Sequence, residues 1–495
     1  MPIDLSRYDG SKRPPRQCQV DVLRWLEQNW DKADVLACQV PTGVGKSFIA
    51  RTVQRATGGQ VIVPANVLMD QYRCTYPTVN ALKGREHYGC REWKGFSCED
   101  RKKAGQKPCK DCPYREARRG ALEGRATFYN PMSLYYVQQD PSHAPSKVVV
   151  VDEAHALIDM LLLLVSKRFP EPVWGALPPL NQLAIDAWLQ AKTDKLTDLL
   201  PTVQADTVKF IKVRRDLETL KTLTEDFRER PTEYVWSLEK DRYRGRDSES
   251  LYLRPLTIPT TLLKQMLNAQ KVVLLSATLL ENTTATLAAG RPYLRADFPS
   301  PIPKENRRVY YTPLPVAVNY KTPPEAYASH LKALLARHPG QNVIVHSTYG
   351  LAHKLRPLLA DVPGLITHDK DTKEAQLELF KKQGGVFLAS GCAEGIDLPG
   401  DLCRVNIVLA MQKGYLGDLA VKQRLAKPGG QDEYELDALQ TVIQQVGRST
   451  RAVEDKSTSY VCDPMFPTYF LKQKPKLPMS FTEAVIWRSP KEKKA

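Results

Sequence analysis

No run of apolar residues in this sequence approaches the twenty or so needed to cross a bilayer. The greasiest stretch, "LIDMLLLLV", is short and carries Asp159. The first residues, "MPIDLSRYDGSKRPPRQ", lack the apolar core of a secretory signal. An intracellular protein with no membrane association is therefore expected, cytoplasmic if it is prokaryotic or phage-encoded. Acidic side chains are also in deficit. Against 71 Lys and Arg the 495 residues hold only 55 Asp and Glu, a net charge of +16. That balance favours a polyanionic partner, with nucleic acid ahead of acidic lipid. In a reducing compartment the ten cysteines would be thiols or metal ligands, not disulfides. Cys18, Cys38, Cys74, Cys392, Cys403 and Cys462 are scattered and expected to be buried structural residues. Cys90, Cys98, Cys109 and Cys112 are clustered.

What is present begins with "VLACQVPTGVGKSFIARTVQRA", a buried strand, a glycine turn and a helix. Gly43 and Gly45 let the backbone curl so that its N–H groups face phosphate oxygens. Following Thr42, this is the T-G-x-G-K-S form of the phosphate loop, with Val40 where the general pattern has its first glycine. Lys46 would reach the terminal phosphates of ATP and Ser47 would ligate Mg²⁺. In "KVVVVDEAHAL" a valine strand delivers two carboxylates to the edge of a parallel sheet. Asp152 is placed to hold Mg²⁺ and Glu153 to take a proton from an attacking water. "KVVLLSATLL" is a third buried strand, with Ser276 and Thr278 at its end.

The second half repeats the pattern. "QNVIVHSTYG", "GGVFLASGCAEGIDLPG" and "CRVNIVLAM" read as strand-and-turn units, so two parallel-sheet domains in tandem are implied. In "QQVGRSTR", Arg448 and Arg451 are three apart and would share one face of a helix. Two such guanidiniums, facing phosphates held by the other domain, could sense the terminal phosphate across a cleft.

The four clustered cysteines are spaced C-x7-C-x10-C-x2-C. Four soft thiolates satisfy either a tetrahedral zinc or a [4Fe–4S] cube. Only one C-x-x-C knuckle is present, and the irregular remainder leans toward the larger cube. Arg91, Lys94, Arg101, Lys102, Lys103, Lys107 and Lys110, with Tyr88, Trp93, Phe96 and Tyr114 between them, suit a phosphate backbone with unpaired bases. A segment this poor in apolar residues needs a metal staple.

In order, T-G-x-G-K-S, D-E-A-H, S-A-T-L, E-G-I-D and Q-x-x-G-R-x-x-R resemble motifs of superfamily 2 helicases. With "LKGREHYGC…C…C..CPY" the chain resembles, more narrowly, the XPD/DinG family of iron–sulfur DNA helicases. The resemblance covers most of the chain and is weakest over 157–250. It implies an α/β fold of two tandem RecA-like parallel-sheet motor domains, with an Fe–S insertion and a helical arch-like insertion in the first. The expected boundaries are 1–84, 130–156 and 256–300 for the first motor domain, 85–129 for the Fe–S insertion, 157–255 for the arch and 301–495 for the second motor domain.

The same resemblance makes Cys90, Cys98, Cys109 and Cys112 the ligands of a [4Fe–4S] cluster and its lobe the wedge at a duplex junction. It puts Gln19, in "RQCQVDV", on the adenine edge. Glu394, Gly395 and Asp397 would lie at the inter-domain cleft, and Gln444, Arg448 and Arg451 would complete the ATP site. The implied activity is ATP hydrolysis driving 5′→3′ movement on single-stranded DNA and unwinding of forked DNA, by a monomer. Two rivals stand beside it. One is a single-strand-stimulated translocase that displaces protein or RNA without unwinding duplex, which the short arch favours. The other is a nucleic-acid-binding scaffold with ATP as a switch, which the full set of hydrolytic residues disfavours.

Overall fold

The computed structural model describes residues 3–487 apart from 7, 9, 11–13, 108, 124–126, 206–207, 244, 317–320, 392–397, 399 and 451. Two compact units divide the chain. One comprises Met1–Leu157, Lys264–Gly414 and Gln431–Ala495; the other comprises Ile158–Leu263 and Tyr415–Gly430. No helix among the described residues is long and apolar enough to cross a membrane.

The larger unit holds two seven-stranded sheets. Across the first run Tyr293–Asp297, Val35–Gln39, Lys271–Ser276, Val148–Asp152, Gln60–Ile62, Thr127–Tyr129 and Asn80–Leu82, every neighbouring pair parallel. Its central strands are apolar runs because both faces are covered by helices. Leu36, Cys38, Val150, Val273 and Leu275 pack with Val22, Leu26, Phe48, Ile49 and Val53 from the flanking helices Gln17–Asn29 and Lys46–Thr57. Each such aliphatic side chain removed from water contributes about 1.5–3 kcal/mol. The register then decides where the polar residues emerge. Gln39 lies opposite Ser276, and Asp152 opposite Leu275, so three strands end together at one edge.

The second sheet is also parallel throughout. Its order is Leu365–Thr367, Val386–Ser390, Val343–Ser347, Val405–Val408, Ser457–Val461, Arg307–Tyr311 and Val485–Ile486. The helix Gly430–Val446 packs Leu439, Val442 and Val446 against Val408 and Val461 of this sheet. Of the scattered cysteines, Cys38, Cys403 and Cys462 are buried as expected, but Cys18 is half-buried and Cys74 is exposed. Cys74 sits on the outer side of Asn66–Thr75, whose inner face is supplied by Met69 and Tyr72. Cys392 lies outside the described residues.

The smaller unit packs helices Gln182–Leu199 and Val208–Glu229 with a three-stranded antiparallel sheet. Phe169, Ile185, Leu189, Leu223, Phe227, Tyr234 and Leu251 share its core. Strands Tyr234–Tyr243 and Arg246–Pro255, ten residues each, pair as a hairpin, and Gly245 between them has a φ of 81°. The second chain segment adds the helix Leu419–Ala426. Asp418 caps that helix and also accepts from Arg254 at 2.9 Å, while Lys427 pairs with Glu233 at 2.5 Å.

Candidate active site

At the edge where the three strands end, Val35–Gln39 gives way to a loop that turns into the helix beginning at Lys46. Gly43 and Gly45 hold φ values of 83° and 90°, in the left-handed region that glycine enters without strain. A Cβ on Gly45 would come within 2.6 Å of Gln19 Nε2. Gln19 braces this loop: its Nε2 donates to Val44 O at 2.8 Å and its Oε1 accepts from Arg16 N at 2.8 Å. Arg16 Nη1 donates to Gly43 O at 2.6 Å. Gln19 is buried, and these bonds use one of its two amide N–H groups and one of its two oxygen lone pairs. Arg16 was not among the residues the motifs single out, because its role lies in reaching a carbonyl 27 positions along the chain.

Lys46 is buried, and its Nζ is 3.1 Å from Glu153 Oε1. Beside that pair, Asp152 accepts from the Tyr72 hydroxyl at 2.7 Å and from the Glu153 N–H at 3.0 Å. Glu153 itself has φ 49°, a left-handed conformation uncommon for a residue with a Cβ. Burial, then the neighbouring Glu153 charge, pushes Asp152 up to about 6 despite Lys46. For Glu153 burial works upward, but Lys46, then His155, with Arg448 contributing, holds it at about 2. His155 Nδ1 meets Ser276 Oγ at 2.8 Å and stands 3.5 Å from Glu153 Oε2. Ser47 is exposed on the first turn of the loop's helix. The hard oxygens of Ser47 and Asp152 are a donor set that suits Mg²⁺.

Residues of the second sheet's half reach this edge. Gln444 Nε2 donates to Thr278 Oγ1 at 2.8 Å and lies 3.4 Å from His155 Nε2. A Cβ on Gly447 would be 3.1 Å from Thr42 Cγ2, so the two halves approach closely here. Arg448 is buried, and its charge acts on both Glu153 and His346. The expected helix face of Arg448 and Arg451 is described only at Arg448, which lies in a short turn beyond the helix end. The helix stops at Val446, Gly447–Ser449 is a 3-10 turn, and Thr450 is extended. Glycine at 447, with Ser449 and Thr450 close behind, disfavours a further helical turn. Arg451, Glu394, Gly395 and Asp397 lie outside the described residues.

Cys90, Cys98, Cys109 and Cys112 come together as one buried cluster, with Cys98 Sγ and Cys112 Sγ 3.6 Å apart. Among the described residues, no three His, Cys, Asp or Glu side chains are arranged as the ligands of a metal ion. Local devices shape the lobe. Gly89 bridges to Ser97, and Ser97 caps the short helix Cys98–Lys103 by exchanging bonds with Asp100. Two sequence expectations change. Tyr88, Trp93 and Tyr114 pack against the thiols, since four sulfurs need an apolar cover; of the four aromatics only Phe96, 56% exposed, faces outward. Arg101 turns inward, pairing with Glu92 at 2.7 Å and lying over Trp93 at 5.6 Å. Arg91, Lys94, Lys102, Lys103, Lys107 and Lys110 are exposed.

Residues 331–479 match the helicase C-terminal domain family. No curated protein matches the chain. Two solved structures are similar over nearly all of it. An apo XPD structure aligns at 14% identity, covering 96% of this chain and 100% of that one, with a TM-score of 0.57. Xpd4 of S. tokodaii aligns at 16% identity over 96% and 100%, with a TM-score of 0.55. The fold of this chain is thus that of tandem RecA-like helicase domains as seen in XPD structures, with a helicase C-terminal match in the second.

Proposed function

We propose that this chain is an ATP-hydrolysing nucleic-acid motor of the XPD/DinG kind, moving 5′→3′ on single-stranded DNA and unwinding forked duplex. The observation that carries the reading is the convergence of Lys46, Asp152 and Glu153 on one sheet edge, with Arg448 arriving from the other sheet's half. A phosphate chain entering the loop competes with Glu153 for Lys46. Once released, Glu153 is free to orient a water and take its proton, and Arg448 supplies fixed positive charge where the terminal phosphate leaves. Ser47 and Asp152 would hold Mg²⁺, which neutralises phosphate charge when bound.

The four thiols hold a [4Fe–4S] cluster in this reading. Their joint burial and the motif order support it, and four thiolates fit a soft metal. The 3.6 Å approach of Cys98 and Cys112 is also near the edge of about 3.8 Å that Zn–S bonds of about 2.3 Å give a tetrahedral zinc site. Iron and acid-labile sulfide on anaerobically purified protein separate the two: about four of each per chain is expected, against one zinc and no sulfide.

For the motor itself, the test is ATP turnover with and without single-stranded DNA, then unwinding of 5′-tailed and 3′-tailed duplexes. Glu153→Gln should cut turnover by roughly 10²- to 10⁴-fold while ATP still binds. Stimulated turnover without strand separation would replace the helicase by a translocase. Full function in Glu153→Gln would overturn the hydrolytic reading.

A further inference from the structure

One turn before Gln444, the same helix face carries a second glutamine that belongs to none of the motifs. Gln440 Nε2 donates to the carbonyl oxygen of Thr278 at 3.0 Å and to its Oγ1 at 3.2 Å. Gln444 donates to that same Oγ1 at 2.8 Å. Residues four apart project together from a helix, so the two amides grip one threonine side by side. Thr278 is fully buried, and each bond to it is made where water cannot substitute.

Thr278 leads back to the hydrolytic carboxylate. Its N–H donates to Ser276 Oγ at 3.1 Å, and that hydroxyl meets His155 Nδ1 at 2.8 Å. His155 in turn stands 3.5 Å from Glu153 Oε2. Three residues, Thr278, Ser276 and His155, thus connect a helix of the second sheet's half to Glu153 by direct contacts.

We propose that Gln440 is a positioning residue for ATP hydrolysis, holding Thr278 so that Ser276 and His155 fix the orientation of Glu153. This rests on the hydrolytic reading given above. The two glutamines divide the work. Gln444 also reaches His155 and lies three residues before Gly447, whose backbone closely approaches Thr42 of the phosphate loop. Gln440 contacts Thr278 through both its backbone and its hydroxyl. It therefore holds the end of the Lys271–Ser276 strand in place even while Gln444 follows the nucleotide.

The test compares wild type with Gln440→Met, which keeps length without polar atoms, and Gln440→Glu, which keeps shape without an N–H donor. ATP turnover is measured at saturating single-stranded DNA, with folding checked by thermal unfolding. Both variants should lose about tenfold in kcat with KM for ATP changed less than about twofold. Adding Gln440→Met to His155→Ala should cost little more than His155→Ala alone, because the two act through one chain of contacts. A general role in joining the two halves predicts the opposite, additive losses or a raised KM with kcat intact, and either result overturns the proposal. Unchanged kinetics in both variants overturns it too, leaving the hydrolytic reading standing. A wild-type chain that hydrolyses no ATP overturns that reading, and the role of Gln440 with it.

Discussion

His346 shows how a single buried group can carry a pH dependence. It lies on the second sheet, fully enclosed, with the Arg448 charge nearby. Burial first, then Arg448, pushes its pKa down to about 3 from an ordinary 6.5. In the folded chain it stays neutral over that whole interval, whereas in the unfolded chain it takes a proton below pH 6.5. Protonation therefore favours unfolding. The stability is complete above pH 6.5 and is lost as pH falls toward 3, by up to about 1.4 kcal/mol per unit. Denaturant unfolding at pH 7 and pH 5 should show that loss, and His346→Gln should reduce it. At the same scale, the ion pair of Lys46 with Glu153 makes each the other's alternative to nucleotide chemistry. Glu153→Gln weakens that pair, so ATP should bind at least as well in the variant that turns over least.

At the scale of elements, the segment Tyr415–Gly430 is the least expected piece. In chain order it falls between strands of the second sheet, yet it packs into the smaller unit. Ala420 joins Val235 and Leu256 in a small apolar contact, and the Arg254–Asp418 and Lys427–Glu233 pairs flank it. Asp418 does two jobs, capping Leu419–Ala426 and binding Arg254. Asp418→Ala should remove both, costing about 1–2 kcal/mol locally. Asp418→Asn keeps the cap and should cost about half as much. Limited proteolysis or hydrogen exchange over 415–430 reads the difference; equal protection in all three proteins would deny the segment its anchoring. Nothing in the local sequence reveals this, because a short charged helix looks the same whether it is solvated or docked.

For the molecule as a whole, the net charge of +16 is the quantity that meets a partner. Each cation that contacts a phosphate of a single strand adds about 0.7 to the slope of log affinity against log salt. Lys94, Lys103 and Lys110 are exposed on the cysteine lobe. Replacing all three by Ala should lower the slope by about 2 and weaken binding uniformly across sequences, as read by salt titration of a labelled oligonucleotide. An unchanged slope would remove the lobe from the nucleic-acid path. Arg101 is left out of that set because it already serves Glu92 and Trp93.

The strands, the glycine turn before Lys46, the acidic pair and the two-sheet plan were legible from residue order alone. Each is a local pattern: an apolar run that must be covered on both faces, followed within a few residues by the group it delivers. Only the tertiary structure decided the rest. Sheet register put Glu153 beside Lys46, and long-range bonds recruited Arg16, Tyr72 and Gln440, whose partners lie 27, 80 and 162 positions away. Packing turned Tyr88, Trp93 and Tyr114 inward over the thiols and gave Tyr415–Gly430 to the smaller unit. A hydrogen bond or a covered face depends on what the fold brings opposite it, and that partner is written nowhere near the residue itself.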